Sequence, residues 1–234
     1  MAFQKLPPVT YESLKQIFNS RNFLRGIKKA TNTGLKRHTE SQFSVWRGVF
    51  SEKIKYFFPD RATCDMPFST SFELEPKQYE QIDNQKLMPI IQYHCHPSPY
   101  VSPSEQDLVS HFDIRNQYNL VGGDVSLPQS IENYHLDCIG AIRESDKFHD
   151  LLVLQNRSKK SDSREGEFAY QQIMDRLGRR KDDNTLLAKA LDSLSNWNAH
   201  LLIYEKKGNS YNISEDQLSG LEKFAYTPIL DSSP

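Results

Sequence analysis

The 234-residue sequence has few cysteines, no excess charge of either sign and no long apolar run. Cys64, Cys95 and Cys138 are odd in number and show no paired spacing, which argues against a disulfide framework and favours a reducing compartment. The 29 Lys and Arg residues balance 30 Asp and Glu residues, which argues against nucleic-acid binding by the chain as a whole. A mean hydropathy of −0.66 argues against a membrane-spanning helix, and residues 1–20 lack the apolar core of a signal peptide. We therefore expect a soluble, intracellular protein of the cytoplasm.

The first 37 residues are strongly basic. Through Arg37 the sequence carries eight Lys or Arg residues and one acidic residue, Glu12. Such a run is typical of the solvated face of a packed helix. It also fits a surface for an anionic partner, or a basic targeting presequence. The sequence alone leaves all three interpretations open.

Hydrophobic spacing and turn residues predict an α/β chain. Helices are expected over residues 9–30, 76–86, 102–118, 168–195 and 215–225. Strands are expected over residues 42–50, 53–58, 68–74, 90–93, 136–142, 151–154, 199–204 and 210–213, the first two as a hairpin-like pair. Residues 119–130 are predicted to be a loop, and the charged segment 155–167 a linker or flexible loop.

The segment 93–108, YHCHPSPYVSPSEQDL, carries the chemistry of this chain. His94 and His96 are two residues apart at the end of a predicted strand, so both imidazoles point to the same side and can reach one metal ion. Ser104 and Asp107 follow at a spacing of three and share one face of the first turn of the next helix. The full pattern is H-x-H-P-x(6)-S-x-x-D.

Ser104 and Asp107 match a capping box, which is a structural explanation of the same spacing. The sequence offers another cap two residues earlier: Ser102 at the N-cap, Pro103 at the first helical position and Glu105 two residues further on. We therefore expect capping by Ser102 and Glu105, which leaves Ser104 and Asp107 to face something else.

The pattern resembles the JAMM motif of the JAB1/MPN/Mov34 (MPN+) zinc metalloprotease family, over residues 35–155. The resemblance implies the MPN (JAB1-like) α/β fold, with a mixed, mostly antiparallel sheet flanked by helices. It also implies that His94, His96 and Asp107 bind Zn²⁺ and that Ser104 helps to hold an oxyanion. The implied reaction is hydrolysis of the bond between ubiquitin, or a ubiquitin-like protein, and a lysine amine or fusion partner. The oligomeric state is left open.

The resemblance also implies a general base, a glutamate at the start of an upstream strand. Glu40 fits best because it precedes the alternating run 42–50. The family places small residues at two positions after this glutamate. Here Phe43 stands at the first of them, and Gly48 comes one residue late. Glu52 and Glu73 are therefore kept as alternatives. The structural alternative for Glu40 is an exposed glutamate at a strand end, with no role in catalysis.

Cys95 stands where the family has Ser, Thr or Asn. On a strand it must point away from the two histidines, so we expect a small buried hydrophobe and not a fourth ligand. The remaining histidines lack the spacing of metal ligands: His38, His111, His135, His149 and His200.

These observations divide the chain into a basic helical extension (1–37), an MPN/JAMM-like catalytic domain (38–155), a charged linker (156–167) and a helical plus hairpin extension (168–234). Two other functions stay open. Proteins similar to bacterial RadC share the Pro-Ser pairs of this motif and act in DNA processing, for which the basic extension would suit a DNA contact. A non-catalytic MPN scaffold is the other, although such domains typically lose the ligands that this chain keeps.

Overall fold

The computed structural model describes residues 9–37, 40–48, 51–58, 76–109, 134–144, 146–157, 163–180 and 182–226. Its helices are α1 (Tyr11–Phe18), α2 (Arg21–Arg37), α3 (Pro76–Gln85), α4 (Ser163–Leu177), α5 (Asn184–Asp192) and α6 (Glu215–Ser219), with 3-10 helices at Gly178–Arg180 and Gly220–Phe224. Residues 105–109 are also helical. Its strands are β1 (Ser41–Gly48), β2 (Ile54–Phe57), β3 (Leu87–Cys95), β4 (Leu136–Arg143), β5 (Phe148–Asn156), β6 (Trp197–Lys207) and β7 (Ser210–Asn212).

The described strands form one mixed seven-stranded sheet in the order β2-β1-β3-β4-β5-β6-β7. Strands β3 and β4 pair in parallel, and every other pairing is antiparallel. The parallel pair requires a crossover connection, and the segment between His96 and Tyr134 provides it. The predicted α/β class and mostly antiparallel sheet are confirmed at this level.

Alternation along the strands builds a separate core on each face of the sheet. Cys138 and Leu151 belong to one cluster, which also takes in the apolar side chains of α1 and α2. Their neighbours Ile139 and Leu152 belong to a second cluster, with side chains of α4 and α5. Because successive side chains on a strand point to opposite faces, the central strands are apolar on both sides. The sheet therefore lies between two helical layers.

Most predicted elements are confirmed, and the differences have local causes. The single helix expected over 9–30 is two helices, because the Ser20 hydroxyl accepts a hydrogen bond from the Phe23 N–H at 3.1 Å and starts α2. The single helix expected over 168–195 ends at Leu177, where Gly178 adopts a φ of +49°. The strand expected over 68–74 and the loop expected over 119–130 lie outside the described residues.

Helix α4 begins inside the segment that we expected to be a linker. It starts at Ser163 because Ala169 and Ile173, four residues apart, bury one face in the second core. The charged residues before them form the first turn of the helix, with Glu165 where an acidic side chain is favourable.

Both flanks of the predicted catalytic domain pack on the central sheet. Strand β6 pairs with β5 over nine residues, from Phe148 opposite Glu205 to Asn156 opposite Trp197. Near the ends of the described chain, Val9 and Tyr226 exchange two backbone hydrogen bonds, at 2.9 and 2.8 Å. The division into four segments stays a prediction. No helix among the described residues is both long and apolar enough to cross a lipid bilayer.

Candidate metal centre

The two histidines of the motif meet at the end of β3. His94 is on the strand, and the His96 N–H extends the parallel ladder by donating to the Gly140 carbonyl of β4 at 2.8 Å. Their Nε2 atoms are 3.2 Å apart, and each residue is about 9% exposed. The spacing of two residues therefore places both imidazoles on one face of the sheet, largely shielded from water.

Asp107 approaches the same point from the next helix. Its Oδ1 lies 3.5 Å from His94 Nε2 and its Oδ2 lies 3.7 Å from His96 Nε2. Two ligands bound at about 2.0–2.1 Å in a tetrahedral site are separated by roughly 3.3–3.4 Å. The distance between the two Nε2 atoms and the distance from His94 Nε2 to Asp107 Oδ1 are both close to this value. This set can hold a metal ion, and it is the one such group of His, Cys, Asp and Glu within the described ranges. Two imidazoles and a carboxylate suit Zn²⁺ among other first-row ions.

Ser104 and Asp107 form a reciprocal capping box, which corrects our assignment of the cap to Ser102. The Ser104 N–H donates to Asp107 Oδ2 at 2.7 Å, and the Asp107 N–H donates to the Ser104 hydroxyl at 3.1 Å. The helix begins at residue 105, so Pro103 is not its first residue. An aspartate at the third helical position is close enough to reach back to the N-cap, and its carboxylate can still face the histidines. Capping and metal ligation are therefore compatible roles for Asp107.

Glu40 lies beside the histidines because of the register between β1 and β3. Ser41 pairs with Cys95 in the antiparallel ladder, so the preceding residue, Glu40, comes next to His96. Its Oε1 is 3.9 Å from His96 Nε2, and its side chain is 14% exposed. Of the alternatives, Glu52 is exposed before β2, and Glu73 lies outside the described residues.

The charges of this group set its protonation in the absence of metal. Burial would raise the pKa of Asp107, but His94, His96 and the Ser104 backbone lower it to about 2. Burial would lower the pKa of His96, but hydrogen bonding and the charge of Asp107, together with Glu40, raise it. Burial raises the pKa of Glu40, and the neighbouring histidines only partly oppose this. The aspartate therefore stays ionised, and the glutamate gains proton affinity.

Cys95 points away from the site, as predicted. It is a free, fully buried thiol in the core cluster with Tyr93, and burial raises its pKa to about 12. Of the other histidines, His149 contacts Tyr93, and His135 lies 3.3 Å from Asp137. His200 contacts the Gln217 carbonyl at 2.8 Å. His38 and His111 lie outside the described residues.

The register adds a residue that the sequence analysis did not single out. Gln42 pairs with His94 across the β1–β3 ladder and is 8% exposed. Residues directly opposite in an antiparallel pair share a face, so Gln42 belongs to the same side of the sheet as the histidines. Its spacing of two from Glu40 would have been the signal for it.

No protein-family model matches this chain, and no curated protein sequence matches it either. The fold and site define an α/β protein with a buried group of two histidines and one aspartate that can hold a metal ion. The resemblance to the JAMM family therefore rests on the motif residues and stays a prediction.

Proposed function

We propose that this chain is a zinc-dependent isopeptidase or peptidase of the JAMM type, built on the MPN fold. Its substrate would be ubiquitin or a ubiquitin-like protein joined to a lysine or to a fusion partner. The observation that carries the proposal is the convergence of His94, His96 and Asp107 on one point, with Glu40 beside them. Three protein ligands leave one position of a tetrahedral site for water or substrate, as catalytic zinc sites require.

The ligand set fits zinc in chemistry as well as in spacing. Imidazole nitrogens and a carboxylate oxygen are common ligands of catalytic zinc sites. When bound, zinc supplies a Lewis acid that acidifies water and polarises a carbonyl. The low pKa of Asp107 keeps its carboxylate ionised, and so ready to bind a cation, throughout the neutral range.

Glu40 is the proposed general base. Its carboxylate is outside the ligand set but close to His96 Nε2, where it can accept a proton from water at Oε1. Water adds across the isopeptide bond: its hydroxyl joins the carbonyl carbon, the C–N bond breaks, and Glu40 delivers the proton to the leaving lysine Nζ. The burial that raises the pKa of Glu40 favours this exchange, because a base works best with a pKa closer to the working pH.

Ser104 is the proposed oxyanion donor. Its hydroxyl oxygen accepts the Asp107 N–H, so the hydroxyl hydrogen can be directed toward a substrate oxygen. Ser104 is exposed, whereas the metal ligands next to it are largely buried, so it can contact a bound substrate. The tail of a ubiquitin-like protein would bind as an extended segment in a groove or along a sheet edge.

The proposal is tested by incubating the purified chain with ubiquitin and ubiquitin-like fusions, with and without a zinc chelator. We expect cleavage after the C-terminal tail that chelation abolishes and added zinc restores. Cleavage that continues after the metal has been removed would contradict the proposal. A chain that binds no zinc would instead favour the non-catalytic scaffold.

The RadC-like alternative depends on the basic N-terminal segment, and several of its lysines have partners within the fold. Lys15 forms an ion pair with Glu215 at 2.5 Å. Lys28 donates to the Asn209 carbonyl at 3.1 Å, and Lys29 lies 5.5 Å from the centre of the Phe58 ring. These contacts favour the packed, solvated helix face. Salt-dependent DNA binding by the full chain that is lost when the exposed Arg21 and Arg25 are changed to Ala would support the alternative.

A further inference from the structure

The segment between the second histidine and the helix of Asp107 has no regular secondary structure over residues 97–104. It contains three prolines, which have no N–H to donate, so its remaining backbone groups need partners from elsewhere. Asn184, the first residue of α5, provides two of them. Its Oδ1 accepts the Val101 N–H at 3.1 Å, and its Nδ2 donates to the Pro99 carbonyl at 3.3 Å.

The peptide held by Asn184 also contacts a metal ligand. The Val101 N–H belongs to the same planar unit as the Tyr100 carbonyl. The Tyr100 backbone lies beside the His96 ring, and the Ser98 hydroxyl donates to the Tyr100 carbonyl at 3.2 Å. A backbone carbonyl beside a ligand histidine can hold its ring in one orientation, which strengthens metal binding. Asn184 therefore holds the peptide that lies next to His96.

Asn184 is itself held rigidly. It is 7% exposed, and its Nδ2 also donates to Asp150 Oδ2 at 2.7 Å. Asp150 is 1% exposed and accepts from Arg143 Nε at 2.7 Å. The carboxylate requires a donor and the Val101 N–H requires an acceptor, so only one orientation of the amide satisfies both. Through these hydrogen bonds, Arg143 of β4 and Asp150 of β5 hold Asn184 and anchor the segment to the sheet.

A second contact lies beyond the other end of this segment, at the residues that follow Asp107. A Cβ atom on Gly166 of α4 would lie 2.6 Å from the Leu108 carbonyl oxygen and 2.8 Å from the Val109 nitrogen. Helix α4 therefore packs directly on the backbone that follows Asp107. Both contacts come from the layer of α4 and α5, most of which the sequence analysis assigned to a C-terminal extension.

We propose that Asn184 is a positioning residue of the metal centre, which holds the Tyr100–Val101 peptide and through it the His96 ring. This role rests on the proposed function of the site as a metal centre. Asn184 touches neither metal nor substrate, and it acts through the backbone between His96 and Ser104.

The test is the zinc affinity of Asn184→Ala, measured by competition with a chromophoric chelator. Asn198→Ala is the matched control, because Asn198 is 8% exposed and its Nδ2 also bridges two groups, Gln155 and the Lys223 carbonyl, in another part of the fold. We expect Asn184→Ala to weaken zinc binding about 10–100-fold, the usual effect of losing a group that orients a ligand. Asn198→Ala should bind zinc within about 3-fold of the wild type.

Thermal unfolding of the metal-free variants separates positioning from general loss of stability. Asn184→Ser, which retains a polar group but is too short to bridge Pro99 and Val101, replaces Asn184→Ala if that variant does not fold. Wild-type zinc affinity in the Asn184 variant, or an equal loss in Asn198→Ala, would overturn the positioning role alone. A wild-type chain that binds zinc but cleaves no ubiquitin-like fusion would overturn the proposed function alone, and one that binds no zinc would overturn both.

Discussion

Ser104 and Asp107 hold each other through two hydrogen bonds, at 2.7 and 3.1 Å, while Asp107 Oδ1 lies 3.5 Å from His94 Nε2. The same carboxylate therefore starts a helix and faces the two histidines. The cap fixes the direction of the aspartate before any metal binds, because the backbone of Ser104 holds Oδ2 in place. Such preorganisation lowers the cost of assembling the ligands around an ion.

The two roles of Asp107 can be separated by mutation. Asp107→Asn retains an oxygen that accepts the Ser104 N–H but removes the negative charge. We expect its zinc affinity to fall by more than about 100-fold, beyond the usual effect of losing a supporting group. Isothermal titration with zinc would measure the loss, and an affinity equal to the wild type would exclude Asp107 as a ligand.

Ser104→Ala should have the opposite effect: zinc binding is retained, whereas stability and turnover fall. It removes the N-cap hydroxyl, so the free energy of unfolding should fall by about 1 kcal/mol, as denaturant unfolding would measure. Zinc binding should persist, whereas kcat should fall roughly 100- to 1,000-fold if the hydroxyl holds the oxyanion. Unchanged turnover in a zinc-loaded Ser104→Ala protein would assign Ser104 to capping alone.

Glu40→Gln should separate metal binding from catalysis. Glu40 Oε1 is 3.9 Å from His96 Nε2, so the amide variant should retain zinc, because the ligand set is unchanged. The loss of the base should lower kcat by about 100- to 10,000-fold. The measurements are zinc content by atomic absorption and turnover of a ubiquitin-like fusion.

The matched control for Glu40 is Glu52→Gln, which changes an exposed glutamate before β2. This variant should retain wild-type turnover. Loss of activity in Glu52→Gln together with normal activity in Glu40→Gln would transfer the role of base to Glu52.

Gly166→Ala should disturb the helix that carries Asp107. The added methyl group would meet the backbone of Leu108 and Val109, which cannot move aside as a flexible side chain can. We expect a loss of about 1–3 kcal/mol in the free energy of unfolding and a weaker zinc affinity, because the helix of Asp107 must shift. Gly220→Ala, which would instead meet the His200 ring, is the control and should leave zinc affinity unchanged. Equal effects on zinc binding in the two variants would contradict this.

His149 should make stability depend on pH. Burial lowers its pKa to about 3, and its neutral ring lies between the Tyr93 hydroxyl at 3.1 Å and the Thr31 hydroxyl at 3.4 Å. The unfolded chain binds a proton at this residue below about pH 6.5, and the folded chain does not until pH approaches 3. The contribution of His149 is thus complete above pH 6.5 and is lost as the pH falls, at roughly 1.4 kcal/mol per pH unit.

Denaturant unfolding of the wild type and of His149→Gln between pH 4 and pH 7 would measure this contribution. The stability advantage of the wild type should shrink as the pH falls. Parallel curves for the two proteins would show that His149 does not titrate in this way.

The parts of the site that could be predicted from the sequence depend on local periodicity. The spacing of His94 and His96 fixes their common face, because His94 is on β3 and His96 continues its ladder. The direction of Cys95 into the opposite core follows from the same alternation. The position of Glu40 next to His96 depends on the pairing of Ser41 with Cys95. No local sequence pattern predicts that pairing.

Two features could not be predicted because they depend on three-dimensional contacts. Ser102 and Ser104 are both acceptable caps by residue type, and only the contacts with Asp107 identify Ser104 as the cap. Asn184 is 77 residues beyond Asp107 in the sequence, and only the packing of α5 against the segment 97–104 brings it to the site. A single asparagine at a helix start carries no signal of this role.

The most direct test of the account is cleavage of a panel of ubiquitin and ubiquitin-like fusions by the wild-type chain, before and after removal of bound metal. We predict cleavage at the end of the modifier tail, with about one zinc ion per chain bound by His94, His96 and Asp107. We also predict that chelation abolishes the activity and that added zinc restores it. A purified chain that contains zinc and cleaves no member of the panel, or one that cleaves equally well without metal, would contradict the account.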